Sequence, residues 1–216
     1  MSREINYIVV ISSMVIYVPI IVGLWYFLKG KRFAVDVKII YSFLLVGGFF
    51  QAAQNNFYAG WLQVGGGNSL WLFHFYLPIA FLILSALFYR RLREIIIFHL
   101  VAAFLFLIIL IDCFILTGFS EYPLVSMVLY NLHFVVMPAV YGAFHFFDYR
   151  KQMKNSDSPF VFNKRMLWFC FGLLTNSALS SVLVLYSTLI GEFYLANEIS
   201  AVVNGVSHLI FVMVFI

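Results

Sequence analysis

Charge is what this sequence has least of: charged residues make up 10% of its 216 positions, against 64% apolar ones. A soluble domain of this length cannot bury so much apolar side chain, and it needs far more charge on its surface. Lipid is therefore the main solvent. Cysteine is almost missing as well. The two present, Cys113 and Cys170, fall near opposite membrane faces in the span assignment below, too far apart for a disulfide. With no CxxC pair, sulfur offers no redox chemistry. GxSxG, HExxH and a Cys–His dyad are also absent, so the residues point away from an enzyme. Strict apolar–polar alternation is lacking too, which argues against a transmembrane β-barrel.

What the sequence does have is a series of continuous apolar runs of about twenty residues, the length a helix needs to cross a bilayer. They lie at about 6–28, 38–61, 69–89, 95–118, 123–147, 166–190 and 197–216. The breaks carry turn chemistry, as in Gly65, Gly66, Gly67 and Asn68, or from Gly118 to Pro123. The first run is no signal peptide: its only upstream basic residue is Arg3, and Lys29, Lys31 and Arg32 follow it without a small-residue cleavage site. The expected fold is all-α, a single polytopic domain of seven transmembrane helices over residues 1–216.

The net charge of +4 and the pI near 9.1 do not signal a nucleic-acid partner, because the basic residues sit in short loops where they set topology. Lys29, Lys31, Arg32 and Lys38 flank the first loop and Arg90, Arg91 and Arg93 the third. Arg150, Lys151, Lys154, Lys164 and Arg165 flank the fifth. The second, fourth and sixth loops hold no Lys or Arg but carry Glu121 and Glu192. Twelve of the thirteen basic residues thus fall on alternate loops, which places those loops in the cytoplasm and the N-terminus outside. The plasma membrane or a bacterial inner membrane is the expected location. The last span ends at Phe215-Ile216 without a basic flank, which leaves room for a cytoplasmic domain after residue 216.

An internal repeat is faintly visible. Span one has Pro19, then Gly23 and aromatics, before its basic loop; span five has Pro138, Gly142 and aromatics before its own. In each case the following span carries amides and hydroxyls in its outer half: Gln51, Gln54, Asn55 and Asn56, then Asn176, Ser177, Ser180 and Ser181. Between the two triplets lies a nearly pure Ile, Leu, Phe and Val span. This reads as a 3+1+3 arrangement of parallel repeats, 1–89 and 123–216, around a lipid-facing linker helix at 95–118. In span count, orientation, linker helix and the prolines of spans one and five, the chain resembles the SWEET sugar transporters, their PQ-loop relatives, the PnuC vitamin transporters and the KDEL receptors. The resemblance stays at the level of architecture. No PQ dipeptide occurs and spans two and six lack proline, so no binding residue carries over. Residues 197–216 contain no lysine, which rules out a retinal Schiff base.

Polar side chains inside hydrocarbon are costly and face other helices or a wet cavity. Span seven carries Asn197, Ser200, Asn204, Ser207 and His208 on one helical face. At a rise of about 1.5 Å per residue, Asn55, His74 and Asp112 lie about 8–9 Å below the outer surface. Gln51, His133, Ser180, Asn204 and His208 lie about 10–17 Å down, while the cytoplasmic halves are far less polar. Asp112, two turns from the outer end, either snorkels or belongs to a site. The candidate ligand-binding set is Gln51, Asn55, His74, Asp112, His133, Asn176, Asn204 and His208, around a cavity opening outwards. Single serines have a plainer role as hydrogen bonds between helices. The leading expectation is a small-solute transporter; the alternatives are a membrane receptor or sensor with a cytoplasmic signalling partner, and a haem- or quinone-linked redox protein. In the last, His133 and His208, at similar depth, would ligate the haem. No metal site or catalytic residue is expected. Besides lipid and a small polar ligand, a second copy of the chain is the other partner considered.

The charge alternation predicts that a cysteine introduced at Gly66 reacts with a membrane-impermeant maleimide in intact cells. Reaction only after permeabilisation reverses the topology.

Overall fold

Among the described residues of the computed structural model there are seven α-helices, each overlapping one of the apolar runs. The structure describes residues 11, 14–30, 33–58, 70–92, 95–119, 121–154, 164–190 and 193–216. Within those, the side chains of 54–58, 91, 148–149, 151–154, 184–190, 193–198, 200 and 201 are not described. The helices are α1 (Val18–Leu28), α2 (Val35–Tyr58), α3 (Trp71–Arg91), α4 (Ile96–Ile111), α5 (Leu124–Lys154), α6 (Lys164–Ile190) and α7 (Phe193–Val212). A π-helical turn, Asp112–Leu116, extends α4. No strand occurs among the described residues.

Local sequence explains several boundaries. Proline is preorganised for the first turn of a helix, and Pro19 stands at the start of α1, just after a turn at Ile16–Tyr17. Gly30 ends that helix with φ +72, its N–H donating to the Phe27 carbonyl; only glycine adopts this backbone without strain. Pro78 and Pro138 lie inside α3 and α5, which continue through them.

Five of these helices are long and apolar enough to cross a membrane, within Val35–Ala53, Trp71–Arg90, Ile96–Leu116, Leu124–Phe147 and Lys164–Leu183. Val18–Leu28 and Val202–Val212 are shorter apolar stretches. The least buried is Ile96–Leu116, with 17% of its residues inside the protein and a mean hydropathy of 2.8. Ile96, Ile97, Leu100, Val101, Phe104, Leu107 and Ile111 all point outwards there. Each such side chain is worth roughly 1.5–3 kcal/mol when removed from water. Seven of them on one helix rival the ~5–15 kcal/mol that holds a soluble domain together. These faces mark the chain as a membrane protein.

Contacts divide the chain into two compact units, Gly23–Asn131 and Met1–Val22 with Leu132–Ile216. In the first, the middle unit, α2 contributes Val37, Ile40, Phe43 and Leu44 to the core, and α3 contributes Leu77, Ala80, Phe81, Leu84, Leu87 and Phe88. The three- and four-residue steps are those of one helical face. Arg90 pairs with Asp36 at 3.4 Å, which sets the start of α2 and the end of α3 at the same end of this unit. In the second, the terminal unit, α6 buries Met166, Phe169, Cys170, Leu173 and Ser177, and α7 buries Ser207 and Phe211. The rings of Phe169 and Phe211 lie 5.2 Å apart.

Gly172 makes that last contact close. A Cβ built there would lie 2.6 and 2.9 Å from the Phe211 ring and 3.3 Å from Ile210. Phe211 is fully buried, so its ring cannot swing aside. Gly172→Ala should therefore lower stability by about 1–3 kcal/mol, the usual cost of overpacking, in thermal unfolding of detergent-solubilised protein. Adding Phe211→Leu should restore most of it. An unchanged melting temperature in Gly172→Ala would mean that α6 and α7 are not packed this tightly.

Candidate functional site

A helix that stops inside an apolar environment leaves carbonyls at one end and N–H groups at the other without partners. In the middle unit, α4 with its π-helical turn ends and α5 begins within a few residues of each other, and two of the candidate residues take up backbone groups at this junction. Asp112 is buried, not snorkelled outwards. Its Oδ2 accepts from the backbone N–H of Ser126 at 2.8 Å and from the Ser126 hydroxyl at 2.6 Å. Its Oδ1 accepts from the Thr117 hydroxyl at 2.9 Å. Ser126 lies in the first turn of α5, so Asp112 caps that helix from the neighbouring one, where a carboxylate also suits the helix dipole. The Cys113 thiol donates to the Ser126 oxygen at 3.3 Å. The Thr117 N–H closes the π-helical turn on the Asp112 carbonyl at 2.9 Å.

His74, fully buried near the start of α3, serves the carbonyls. Its Nδ1 lies 2.5 Å from the Cys113 oxygen and its Nε2 3.0 Å from the Glu121 oxygen. The imidazole therefore bridges the end of α4 and the segment leading into α5. Phe119 packs edge-on to the same ring, with centroids 5.1 Å apart. Tyr122 stacks edge-on against Phe73 at 5.0 Å and hydrogen bonds to the Met127 sulfur. Burial pushes the Tyr122 phenol above its ordinary range, so it stays neutral at any physiological pH.

Further along the same helices, the hydroxyls of Tyr76 on α3 and Tyr130 on α5 are hydrogen bonded to each other. The Tyr76 ring lies 5.4 Å from Phe50 of α2, and its hydroxyl lies near Gly47 on the same helix. Next to Tyr130, the buried amide nitrogen of Asn131 has no hydrogen-bond partner among the described residues. Gln51 is half-buried on α2. The side chain of Asn55 lies outside the described residues.

The terminal unit holds the other four candidates. His133 is buried on α5, edge-on to Phe134 at 4.9 Å. Asn176 is half-buried on α6. On α7, His208 Nδ1 donates to the Asn204 carbonyl one turn back at 2.8 Å, which leaves Nε2 as the acceptor nitrogen of a neutral ring. The Ser207 hydroxyl donates to the Val203 carbonyl at 2.9 Å. Gly172 faces Ile210 and Phe211 across this antiparallel pair, and following that register brings the turn of Ser177 level with that of Ser207. Both serines are buried, at 1% and 0% exposure, and the Ser177 hydroxyl has no partner among the described residues.

The structure thus brings His74 and Asp112 to one junction and joins Asn204 to His208 along α7. Ser126, Thr117 and the Tyr76–Tyr130 pair escape a sequence reading. Thr117 and Ser126 follow Asp112 by five and fourteen residues, spacings that carry no sequence signature, and tyrosine in membrane spans reads as an interfacial anchor. Comparison with protein-family models, curated proteins and solved structures finds no match to this chain. Among the described residues no three His, Cys, Asp or Glu side chains cluster as metal ligands do.

The Asp112 cap has a measurable strength. Hydrogen bonds to a charged partner contribute about 1.5–3 kcal/mol each, and Asp112→Ala strands three donors. It should cost roughly 3 kcal/mol or more in unfolding from micelles, against about 1 kcal/mol for Thr117→Ala. Asp112→Ala and Ser126→Ala should be coupled by at least about 1 kcal/mol in a double-mutant cycle. Additive losses would show that the two groups do not meet.

Proposed function

We propose that this chain is a seven-span membrane protein, N-terminus outside, that takes a small polar solute into an outward-opening cavity and transports it. The observation that carries this reading is the buried Ser177 hydroxyl, which has no hydrogen-bond partner among the described residues, on the face that α6 turns to α7. A buried hydroxyl without a hydrogen bond is costly and rare in native structures, so a bound water or ligand group is its natural complement. His208 adds an acceptor nitrogen of fixed tautomer, since Nδ1 is committed to Asn204. Asn176 and Asn204 supply both donors and acceptors nearby in sequence on the same two helices. Transport, rather than sensing, follows from reading residues 1–89 and 123–216 as parallel three-helix repeats around the outward-facing helix at 95–118.

One observation also favours haem. A histidine ligand commonly anchors Nδ1–H on a backbone carbonyl and ligates through Nε2, the arrangement His208 has; His133 would be its partner. An absorption spectrum of the purified protein separates the two: a Soret band lost in His208→Leu supports haem, and a spectrum of protein alone removes it.

For the solute, thermal unfolding in detergent is measured against a panel of a hexose, a neutral amino acid, a nucleoside and a small quaternary amine. A solute at about 100 times its Kd stabilises by about 2.7 kcal/mol, a shift of roughly 5–10 °C for a protein of this size. The expected result is such a shift with one class, lost in His208→Leu and Ser177→Ala. It should persist in Ser42→Ala, whose hydroxyl only donates to the Lys38 carbonyl at 3.0 Å. A shift that survives His208→Leu places the solute elsewhere.

A further inference from the structure

The hydrogen bonds around His74 fix more than its position. Both ring nitrogens face carbonyl oxygens, Cys113 at 2.5 Å and Glu121 at 3.0 Å, and a carbonyl only accepts. A neutral imidazole carries one N–H, so it can donate to one carbonyl while its other nitrogen sets a lone pair against the second oxygen. The imidazolium carries two N–H groups and satisfies both. The ring itself is fully buried, with Phe119 packed against it.

We infer that His74 is a proton-binding site that works as a latch: with the proton bound, its ring ties the Glu121 segment to the end of α4, and without it one of the two ties is lost. The inference does not depend on the solute-binding reading, which concerns the terminal unit. The described groups around the ring are as follows. The end of α4 and its π-helical turn carries the negative pole of a helix dipole, which favours positive charge. Asp112, next in chain to Cys113, directs its carboxylate to Ser126 and Thr117, so it does not compete for either N–H of the ring. On the approaching segment, Glu121 offers its carbonyl while its side chain is exposed, and Tyr122 stays a neutral phenol. Cys113 donates its thiol proton to Ser126. On α3 itself the next titratable group, Tyr76, is tied to Tyr130 of α5. The described titratable side chains of α2, Asp36, Lys38 and Tyr41, lie in its first two turns, and Asp36 pairs with Arg90 at the far end of α3. No described neighbour other than His74 changes protonation between pH 5 and 8 when unperturbed.

The sign follows from the hydrogen bonds. Two ties exist only when the proton is bound, so acidification favours the latched state and alkalinisation releases it. One proton can change the latched-to-released ratio by at most about tenfold per pH unit. The test is a nitroxide spin label on Glu121→Cys in the full chain with Cys113→Ser and Cys170→Ala, in lipid nanodiscs, from pH 5.5 to 8.5. Replacing Glu121 removes its own carboxyl while keeping the backbone carbonyl, and Cys113→Ser keeps a donor for Ser126. The expected spectrum is immobilised at pH 5.5 and gains a mobile component as pH rises, with one-proton steepness. In His74→Gln the mobile fraction should no longer depend on pH. A spectrum constant with pH in the His74 protein overturns the latch without reference to any variant. The same pH dependence surviving in His74→Gln overturns it too, and assigns the proton elsewhere. If His74→Gln does not fold, 15N spectra of histidine-labelled protein give the second reading. Two protonated nitrogens on the buried ring at pH 5.5, with one proton lost as the label is released, support the latch; a ring neutral throughout overturns it.

Discussion

A helix cannot end in an apolar environment without something to take its last carbonyls and its neighbour's first N–H groups. The junction between α4 and α5 shows how this chain meets that constraint, and the middle unit is organised around it. Asp112 supplies the acceptor for the start of α5, and His74 reaches across from α3 for the carbonyls of Cys113 and Glu121. One acidic and one basic side chain thus complete both faces of a single turn. A carboxylate beside the first turn of α5 also suits the positive pole of that helix. Both residues are buried inside apolar spans, where an uncompensated charge would be among the most costly features a membrane protein can hold.

The helices were legible in the sequence because the signal is redundant. A run of twenty apolar residues tolerates small errors at either end, and most helices lie within a few residues of their runs, although α5 continues seven residues past 147 to Lys154. The Asp36–Arg90 pair joins the ends of α2 and α3 that flank the first and third loops. Partners were less legible. His74 and Asp112 stand out as polar residues in apolar spans, but the groups they bind are mostly backbone atoms. A carbonyl at Cys113 or Glu121 leaves no mark in a sequence. The π-helical turn was equally hidden, since residues 112–116 are ordinary apolar helix formers apart from Asp112 itself. Its effect is to shift the register at the end of α4, which explains why the Asp112 side chain and the Cys113 carbonyl both serve the junction.

Serine and threonine stripes carry less information than their regularity suggests. Ser42, Thr175, Ser181 and Ser207 each donate to the carbonyl four residues earlier. Such back-bonding satisfies the hydroxyl within its own helix and needs neither a neighbour nor a cavity. His208 does the same through Nδ1, but it has a second nitrogen to place. A stripe of small hydroxyls is thus compatible with plain helix packing, and its members are not interchangeable as evidence for a site.

As Ser85 does in the middle unit, Ser177 departs from this pattern in the terminal one. Its carbonyl already accepts from Ser181, as the pattern requires, yet its own hydroxyl has not taken the easy bond to the turn before it. Back-bonding needs only a χ1 rotation, so a hydroxyl that forgoes it in a buried place is either leaving about 1–3 kcal/mol unrealised or is oriented for another partner. The close approach at Gly172 presses α6 against α7 one turn away and limits how far the seam can relax around that hydroxyl. Packing and hydrogen bonding therefore pull in different directions over a few residues, and local conflicts of this kind in natural proteins concentrate where function is placed. The latch at His74 fits the same logic from the other side: there every carbonyl has its donor, but only while a proton is present.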